Sequence, residues 1–164
     1  MKTSDINSMV DFIFKSLGKD VKLAAPLGLG KPNDLLNAIY DHVEKNKDHS
    51  LSVFTALSLA PPVVTEDLAA RFFVPFKNRQ WGENYPVLKY YKSAQKDALP
   101  KNIKVHEFYF QAGSALASNH LQRNYQSVNY THVAENILKG EIQVLVQLIA
   151  KKETPSGDRY SLSC

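Results

Sequence analysis

The segment from residue 22 to residue 34 carries the residue types most suited to binding a ligand. Its sequence, KLAAPLGLGKPND, predicts a buried strand, a turn through Gly28 and Gly30, and a helix that begins near Pro32. Glycines let the backbone turn tightly and approach a ligand closely, and the start of a helix offers free N–H groups to an anion. The spacing therefore predicts a ligand-binding loop that also contains Lys31. An ordinary strand-to-helix turn is the alternative.

Two familiar nucleotide motifs do not fit this loop. A phosphate-binding P-loop requires a glycine five residues before the Gly-Lys pair and a Ser or Thr after it, and Ala25 and Pro32 occupy those places. A dinucleotide-binding turn requires a third glycine where the chain has Asn33. The loop therefore predicts neither a magnesium-bound nucleotide nor a dinucleotide.

Other reactive residue types form no catalytic pattern. The histidines lack metal-ligand spacing, so no metal site is expected. Ser114 follows Gly113 but lacks the second glycine of a nucleophile elbow. Glu66, Glu107 and Glu135 match no catalytic motif, and solvation or ion pairing is the expected role of each. No catalytic residue is assigned in this chain.

Composition indicates a folded protein of one domain. The chain has 164 residues, of which 44% are hydrophobic and 22% charged, as is typical of globular domains. We expect one α/β domain over residues 1–164, with an N-terminal helix in residues 1–20. No apolar run reaches the length of a membrane helix and no secretory leader is evident, so no membrane partner and a cytoplasmic location are expected. The one cysteine, Cys164, excludes an internal disulfide.

The net charge of +4 says little about partners. Basic residues between positions 71 and 92 alternate with aromatic ones, a pattern that can bind single-stranded nucleic acid. Glu83, Pro75 and Pro86 interrupt that pattern, and aromatic side chains at this density usually pack. We therefore expect no nucleic-acid partner, while a patch for an anionic cofactor stays open.

Helical and strand-like segments alternate along the chain, which predicts an α/β fold with a mainly parallel, open sheet flanked by helices. The second strand is apolar on both faces, as a strand covered by helices on two sides would be. Residues 74–85 are expected to be irregular. Helices are predicted over residues 4–17, 32–45, 66–72, 86–98 and, with Thr131 as cap, 131–138, and strands over residues 21–25, 51–57, 103–110, 142–150 and 159–163.

Parallel strands collect ligands at their carboxyl ends. In this sequence those ends are residues 28–31, 55–58 and 111–114, which should lie along one edge of the sheet.

Five motifs occur in an order that resembles a known family. They are LGLGKP at 27–32, FTALS at 54–58, EFYFQAGS at 107–114, RNYQSVNYTH at 123–132 and GDRYSLS at 157–163. Together they resemble the acetyl-CoA hydrolase/transferases of the CoA-transferase superfamily over about residues 20–164.

The resemblance implies the N-terminal half of a two-half CoA-transferase-like enzyme. Such enzymes move acyl groups between coenzyme A and a small carboxylate or water through a glutamyl thioester, and the glutamate belongs to the second half. The isolated chain is therefore expected to be inactive. Coenzyme A and acetyl-CoA are the expected substrates, and no permanently bound cofactor is expected. The expected partner is the second half of the same enzyme, and a homodimer is left open.

The resemblance also assigns a first-half wall of the pocket. Backbone N–H groups of Gly28, Gly30 and Gly113 are candidates for stabilising an oxyanion. Lys31 could meet a carboxylate or a phosphate, with solvent exposure as the alternative, and Asn129 and Tyr130 could instead belong to a helix cap at Thr131. The substrate-binding set is Gly28, Gly30, Lys31, Pro32, Thr55, Ser58, Gly113, Ser114, Asn129 and Tyr130.

Two other functions remain open. The chain could be a non-catalytic module that binds coenzyme A or a partner protein. It could also be a domain of the sugar-phosphate isomerase type, which would require an acid and a base of its own.

Overall fold

The computed structural model of the chain describes residues 5–162, so the predictions for Cys164 and for residues 1–4 lie outside it. The helices are α1 (Ile6–Leu17), α2 (Asn33–Lys45), α3 (Asp67–Trp81), α4 (Lys89–Gln95), α5 (Asn119–Arg123) and α6 (Val133–Lys139). The strands are β1 (Asp20–Ala24), β2 (Ser50–Thr55), β3 (Ile103–Glu107), β4 (Val144–Leu145), β5 (Ile149–Thr154) and β6 (Gly157–Leu162). Short 3₁₀ turns at Gly28–Gly30 and Tyr130–His132 complete the regular structure.

Four strands form one parallel sheet in the order β3-β2-β1-β4. Leu23 of β1 lies opposite Val53 of β2, which in turn lies opposite Val105 of β3. Helices connect the strands, as parallel pairing requires. The predicted α/β class with a mainly parallel sheet flanked by helices is confirmed at this level.

One face of the sheet carries the main core. Alternation along each strand turns Val21 and Leu23 to the same side, and both are buried against α1, α2 and α4. Ile39 of α2 and Tyr90 of α4 are likewise almost completely buried. Each such aliphatic side chain contributes about 1.5–3 kcal/mol to folding, so this face anchors the domain.

The opposite face is covered only near the carboxyl ends of the strands. There Phe54 and Phe108 stack at 5.7 Å and pack with partly buried residues of and near α6, such as Ile137. Further back, β2 presents Ser52, which is half-buried, to an open cleft. The prediction that the second strand is covered on both faces is therefore wrong over its first half.

The helix α3 is longer than the sequence predicts. It runs from Asp67 to Trp81 with Pro75 inside it, so the predicted irregular segment at 74–85 is wrong over residues 74–81. A proline removes one main-chain hydrogen bond, but the rings of Phe73 and Phe76 meet edge-on at 5.9 Å across that position. Phe76 in turn meets Trp81 at 6.2 Å, so aromatic contacts stabilise the turns on both sides of the proline.

Two other predicted helices differ at their ends. The helix α1 begins after Asp5, whose carboxylate accepts a hydrogen bond from the Ser8 N–H at 2.8 Å. The helix α4 is shorter than the predicted 86–98, because it begins after Leu88 and the chain turns at Asp97, where φ is +54°.

The fourth predicted strand, 142–150, divides into two parts. Only β4 pairs with β1, and the main chain continues along the glycine turn, where the Leu148 N–H donates to the Gly30 carbonyl at 2.9 Å. From Ile149 onward the chain forms β5, which pairs with β6 as an antiparallel hairpin. A continuous apolar run does not reveal where a strand leaves its sheet, because the change of partner is a tertiary event.

In the described part of the chain, no helix combines the length and the apolar character that crossing a bilayer requires.

Candidate functional site

The glycine turn follows β1 at the carboxyl edge of the sheet. Gly28 has a φ of +59°, a conformation that glycine adopts without steric cost, and its N–H donates to the Leu57 carbonyl at 3.2 Å. That hydrogen bond means that, in this conformation, Gly28 has no free N–H for an oxyanion. Gly30 is buried, whereas Gly113 is exposed with a φ of +78°.

Lys31 is the cation that joins this turn to the loop after β2. Its side chain is buried, with 2% of the residue exposed, and its Nζ donates to the Ala56 carbonyl at 2.5 Å and to the Leu57 carbonyl at 3.2 Å. The alternative of a solvent-exposed Lys31 is therefore wrong. Burial lowers the pKa of Lys31 to about 8, and the charge of Glu107 opposes part of that fall. In this conformation the Lys31 ammonium group forms hydrogen bonds with main-chain carbonyls.

Leu57 is the strained residue of the loop after β2. Its φ of +48° lies in the left-handed region, which branched side chains rarely adopt. Its carbonyl accepts from Gly28 and Lys31, and its N–H donates to the Tyr109 carbonyl at 2.8 Å. Strain of about 1–3 kcal/mol persists only where surrounding contacts hold it, and such residues cluster at functional sites.

Glu107 lies at the end of β3 and is completely buried. Its Oε2 accepts a hydrogen bond from the Ser58 N–H at 3.3 Å, while Oε1 has no partner within the described residues. Burial raises the pKa of the Glu107 carboxyl, and the Ser58 hydrogen bond and the charge of Lys31 oppose that rise. Solvation and ion pairing are the two expected roles of Glu107; solvation is wrong, and the opposite charge that acts on the buried carboxyl is that of Lys31. The alternation Ile103, Val105, Glu107 is the sequence signal that could have placed its side chain inward.

Ser58 and Thr55 complete the buried group. The Ser58 hydroxyl and the Tyr90 hydroxyl lie 2.9 Å apart, and burial raises the pKa of Tyr90 above its ordinary value. The Thr55 hydroxyl donates to the Pro26 carbonyl at 3.2 Å. Tyr90 comes from α4, and no motif in the sequence pointed to it.

Pro32 occupies the position just before α2, one residue earlier than the first helical position. The first turn of α2 is not arranged for an anion. Asp34 places a carboxylate there, and the Asn33 side chain donates to the Pro86 carbonyl at 2.8 Å.

The remaining predicted site residues, Asn129, Tyr130 and Ser114, form no side-chain hydrogen bond with Lys31, Ser58 or Glu107 among the described residues. Asn129 caps the 3₁₀ turn, because its Oδ1 accepts from the Thr131 N–H at 3.1 Å, so the predicted cap at Thr131 is wrong. Tyr130 is 62% exposed, and its ring meets Phe108 edge-on at 5.8 Å. The Ser114 hydroxyl is buried, and its hydrogen bond with Tyr91 opposes the rise that burial causes in the pKa of Tyr91.

These contacts define a loop assembly rather than a complete catalytic site. Residues 26–31, 55–58 and 107–109 are joined by backbone and buried side-chain hydrogen bonds along one edge of the sheet. Its charged groups, Lys31 and Glu107, are both buried, and both form hydrogen bonds with main-chain groups of residues 56–58. Within residues 5–162, no three side chains of the His, Cys, Asp and Glu types come together as a metal-binding group would.

The chain was compared with protein-family models, with curated proteins and with solved structures. None of these comparisons finds a match.

Proposed function

We propose that this chain is the first-half domain of an acetyl-CoA hydrolase or CoA transferase. The main observation in support is that the LGLGKP and FTALS motifs lie together at the carboxyl edge of a parallel sheet. The Lys31 ammonium group of the first motif donates hydrogen bonds to the Ala56 and Leu57 carbonyls of the second. Ligands of open α/β sheets bind at that edge. The ordered motifs that resemble the acetyl-CoA hydrolase/transferases supply the substrate class.

The exposed side chains of this edge suit the thioester arm of coenzyme A. Leu27 and Leu29 of the glycine turn are 41% and 37% exposed, and Tyr109 after β3 is 49% exposed. Tyr130, which is 62% exposed, adds aromatic surface next to Phe108 in the segment after β3. Exposed apolar surface of this kind commonly marks a binding site, and an acyl-pantetheine chain would cover it.

The proposal places the nucleophilic glutamate outside the described residues. Glu107 is fully buried, so its carboxylate cannot reach a thioester that binds at the surface. Glu135 is exposed, but it pairs with Lys139 at 2.6 Å on α6. Within residues 5–162 the loops therefore position the substrate, and a glutamate from the second half would attack it.

Attack by the glutamate breaks the acyl C–S bond, forms an acyl-glutamyl anhydride and releases coenzyme A thiolate. The thiolate then forms the glutamyl-CoA thioester and releases the carboxylate. Water or a second carboxylate completes the cycle, so the same domain serves hydrolysis and transfer. A cytoplasmic location is part of this proposal.

The first experiment follows the covalent intermediate. The full product of the gene is incubated with acetyl-CoA and treated with borohydride, which reduces a glutamyl thioester and marks the glutamate for mass spectrometry. We expect the mark outside residues 5–162 and no acetyl-CoA turnover by the 164-residue chain alone. Turnover by that chain, or a mark at Glu107, would contradict the proposal. Coenzyme A binding without turnover by the full product would favour a binding module.

The second experiment tests the aromatic surface. We expect Tyr130→Ala to raise the KM for acetyl-CoA several-fold, because a stacked aromatic contact is worth about 0.5–1.5 kcal/mol. Tyr160→Ala is the matched control, since Tyr160 is 56% exposed on the β5–β6 hairpin. Equal KM values for the two variants would show that Tyr130 does not contact acetyl-CoA.

A further inference from the structure

The open half of the sheet forms a cleft that lies away from the Lys31 group. Its volume is about 640 Å³, within the size range of small-molecule sites. The floor is the half of the sheet that α6 leaves uncovered, and the walls come from Asn124, Gln126, Asn136, Lys139, Gly140 and Ile142. The Lys31 group belongs to the loops at the carboxyl edge, so this cleft is a separate feature of the molecule.

A row of three residues crosses the floor of the cleft on neighbouring strands. Lys22 of β1 lies opposite Ser52 of β2, and Ser52 lies opposite Lys104 of β3. Neighbouring strands are about 4.8 Å apart, so the two lysine backbones are about 10 Å apart with a hydroxyl between them. The spacing suits an anion that carries more than one charge.

The charge of the cleft is mostly positive. Lys101 and Lys139 join Lys22 and Lys104 in its lining, and Asp20 is the acidic lining residue. Lys22 and Lys139 are each paired with a glutamate at 2.6 Å. Lys101 and Lys104 have no ion-pair partner in the part of the chain that the structure describes. Two cations therefore stay available to a ligand.

The end of the cleft nearest α6 is apolar. Phe54 and Ile142 line it, and His106 lies beside Phe54 in the next strand. The amide of Gln126 lies 3.4 Å from the His106 Nδ1 and forms part of the wall. A flat ring could occupy this end while charged groups contact the lysine row.

We propose that this cleft binds a phosphorylated ligand of nucleotide size, with its phosphates near Ser52, Lys101 and Lys104 and its ring near Phe54. The proposal does not rest on the acyl-CoA function, because the lysine row crosses the open part of the sheet and not the loops at its carboxyl edge. Exposed lysines attract phosphate through screened charge, so the affinity should fall as the salt concentration rises.

The test titrates the isotopically labelled chain with ADP, inorganic pyrophosphate and adenosine, and follows backbone amide signals by NMR. We expect ADP and pyrophosphate to shift the signals of residues 20–22, 52 and 104, and adenosine to bind far more weakly. Lys104→Gln and Lys101→Gln should each raise the Kd of ADP about five-fold, since one exposed charge pair is worth about 1 kcal/mol. Lys152→Gln, an exposed change on the β5–β6 hairpin, should leave the Kd unchanged.

Several results would overturn the proposal. They are the absence of ADP and pyrophosphate binding at millimolar concentrations, equal binding of adenosine, or equal Kd values for Lys104→Gln and Lys152→Gln. A further titration with coenzyme A distinguishes the two proposals. If coenzyme A shifts residues 28–32 and 55–58 while ADP shifts nothing in the cleft, this inference fails and the acyl-CoA function stands.

Discussion

Replacing the buried Lys31 by methionine should change how stability depends on pH. Methionine keeps the length and the apolar stem of the side chain but removes the ammonium group that donates to Ala56 and Leu57. The pKa of Lys31 falls from 10.5 to about 8 on folding, because burial disfavours its charged form. Between those values the unfolded chain binds more protons than the folded chain. The contribution of Lys31 is therefore full above about pH 10.5 and is lost as the pH falls through about 8.

The size of this effect follows from the shift. Because each pKa unit corresponds to about 1.4 kcal/mol, the fall in the pKa of Lys31 from 10.5 to about 8 amounts to about 3.5 kcal/mol between the two limits. Between about pH 7 and pH 10, the free energy of unfolding of the parent chain should rise by about 2 to 3 kcal/mol relative to that of Lys31→Met. Because both chains contain the same tyrosines, the contribution of tyrosine titration to the free energy of unfolding cancels in the comparison.

Urea unfolding followed by circular dichroism at several pH values measures the difference. Lys47→Met is the matched control, because Lys47 is exposed and forms no ion pair in the described residues, and its difference from the parent chain should not change with pH. A difference between the parent chain and Lys31→Met that stays constant, or that shrinks as the pH rises, would refute the burial of a charged Lys31.

Three further predictions concern local structure. Burial and the neighbouring His49, 3.1 Å away, lower the pKa of His42, so stability should be lost as the pH falls below about 6.5, and His42→Phe should reduce that loss in acid unfolding curves. Gly28→Ala should cost about 1 to 2 kcal/mol in urea unfolding through its φ of +59° alone, since an added Cβ meets no atom within 4 Å; an unchanged midpoint would disprove the positive φ. Ser118→Ala should cost about 1 kcal/mol, because the buried Ser118 hydroxyl accepts from the Leu121 N–H at 3.1 Å; Ser118→Asp, which restores an acceptor, should lose less.

The local elements of the fold could be predicted because their signals lie within a few residues of one another. The pattern of Ile39 and Val43 predicts the inner side of α2, and both residues are buried. The path of the chain after residue 145 could not be predicted, because an apolar run is compatible with β4, with the hydrogen bonds of residues 146–148 along the glycine turn, and with the hairpin strand β5. The aromatic contacts around Pro75 likewise depend on the geometry of a helix, whereas the proline itself favours an irregular segment.

The candidate site also has one feature that the sequence predicts and others that it does not. The glycines and the order of the motifs indicated a ligand-binding turn at the carboxyl edge, and its position there depends on a parallel sheet that the alternation of elements already predicted. The roles of Lys31 and Glu107 could not be predicted in this way. Their burial depends on Ser58, Tyr90 and the other residues that cover them, which come from distant parts of the chain.

The sequence by itself determined the α/β class, the order of the elements as far as β3 and the turn at Gly28, because periodicity and glycine conformation are properties of neighbouring residues. Only the tertiary structure decided that Lys31 bonds to carbonyls 25 and 26 residues away, and that half of one sheet face stays open. The physical reason is that burial depends on which elements cover a side chain. Its neighbours in space decide whether a lysine is a buried hydrogen-bond donor or an exposed cation.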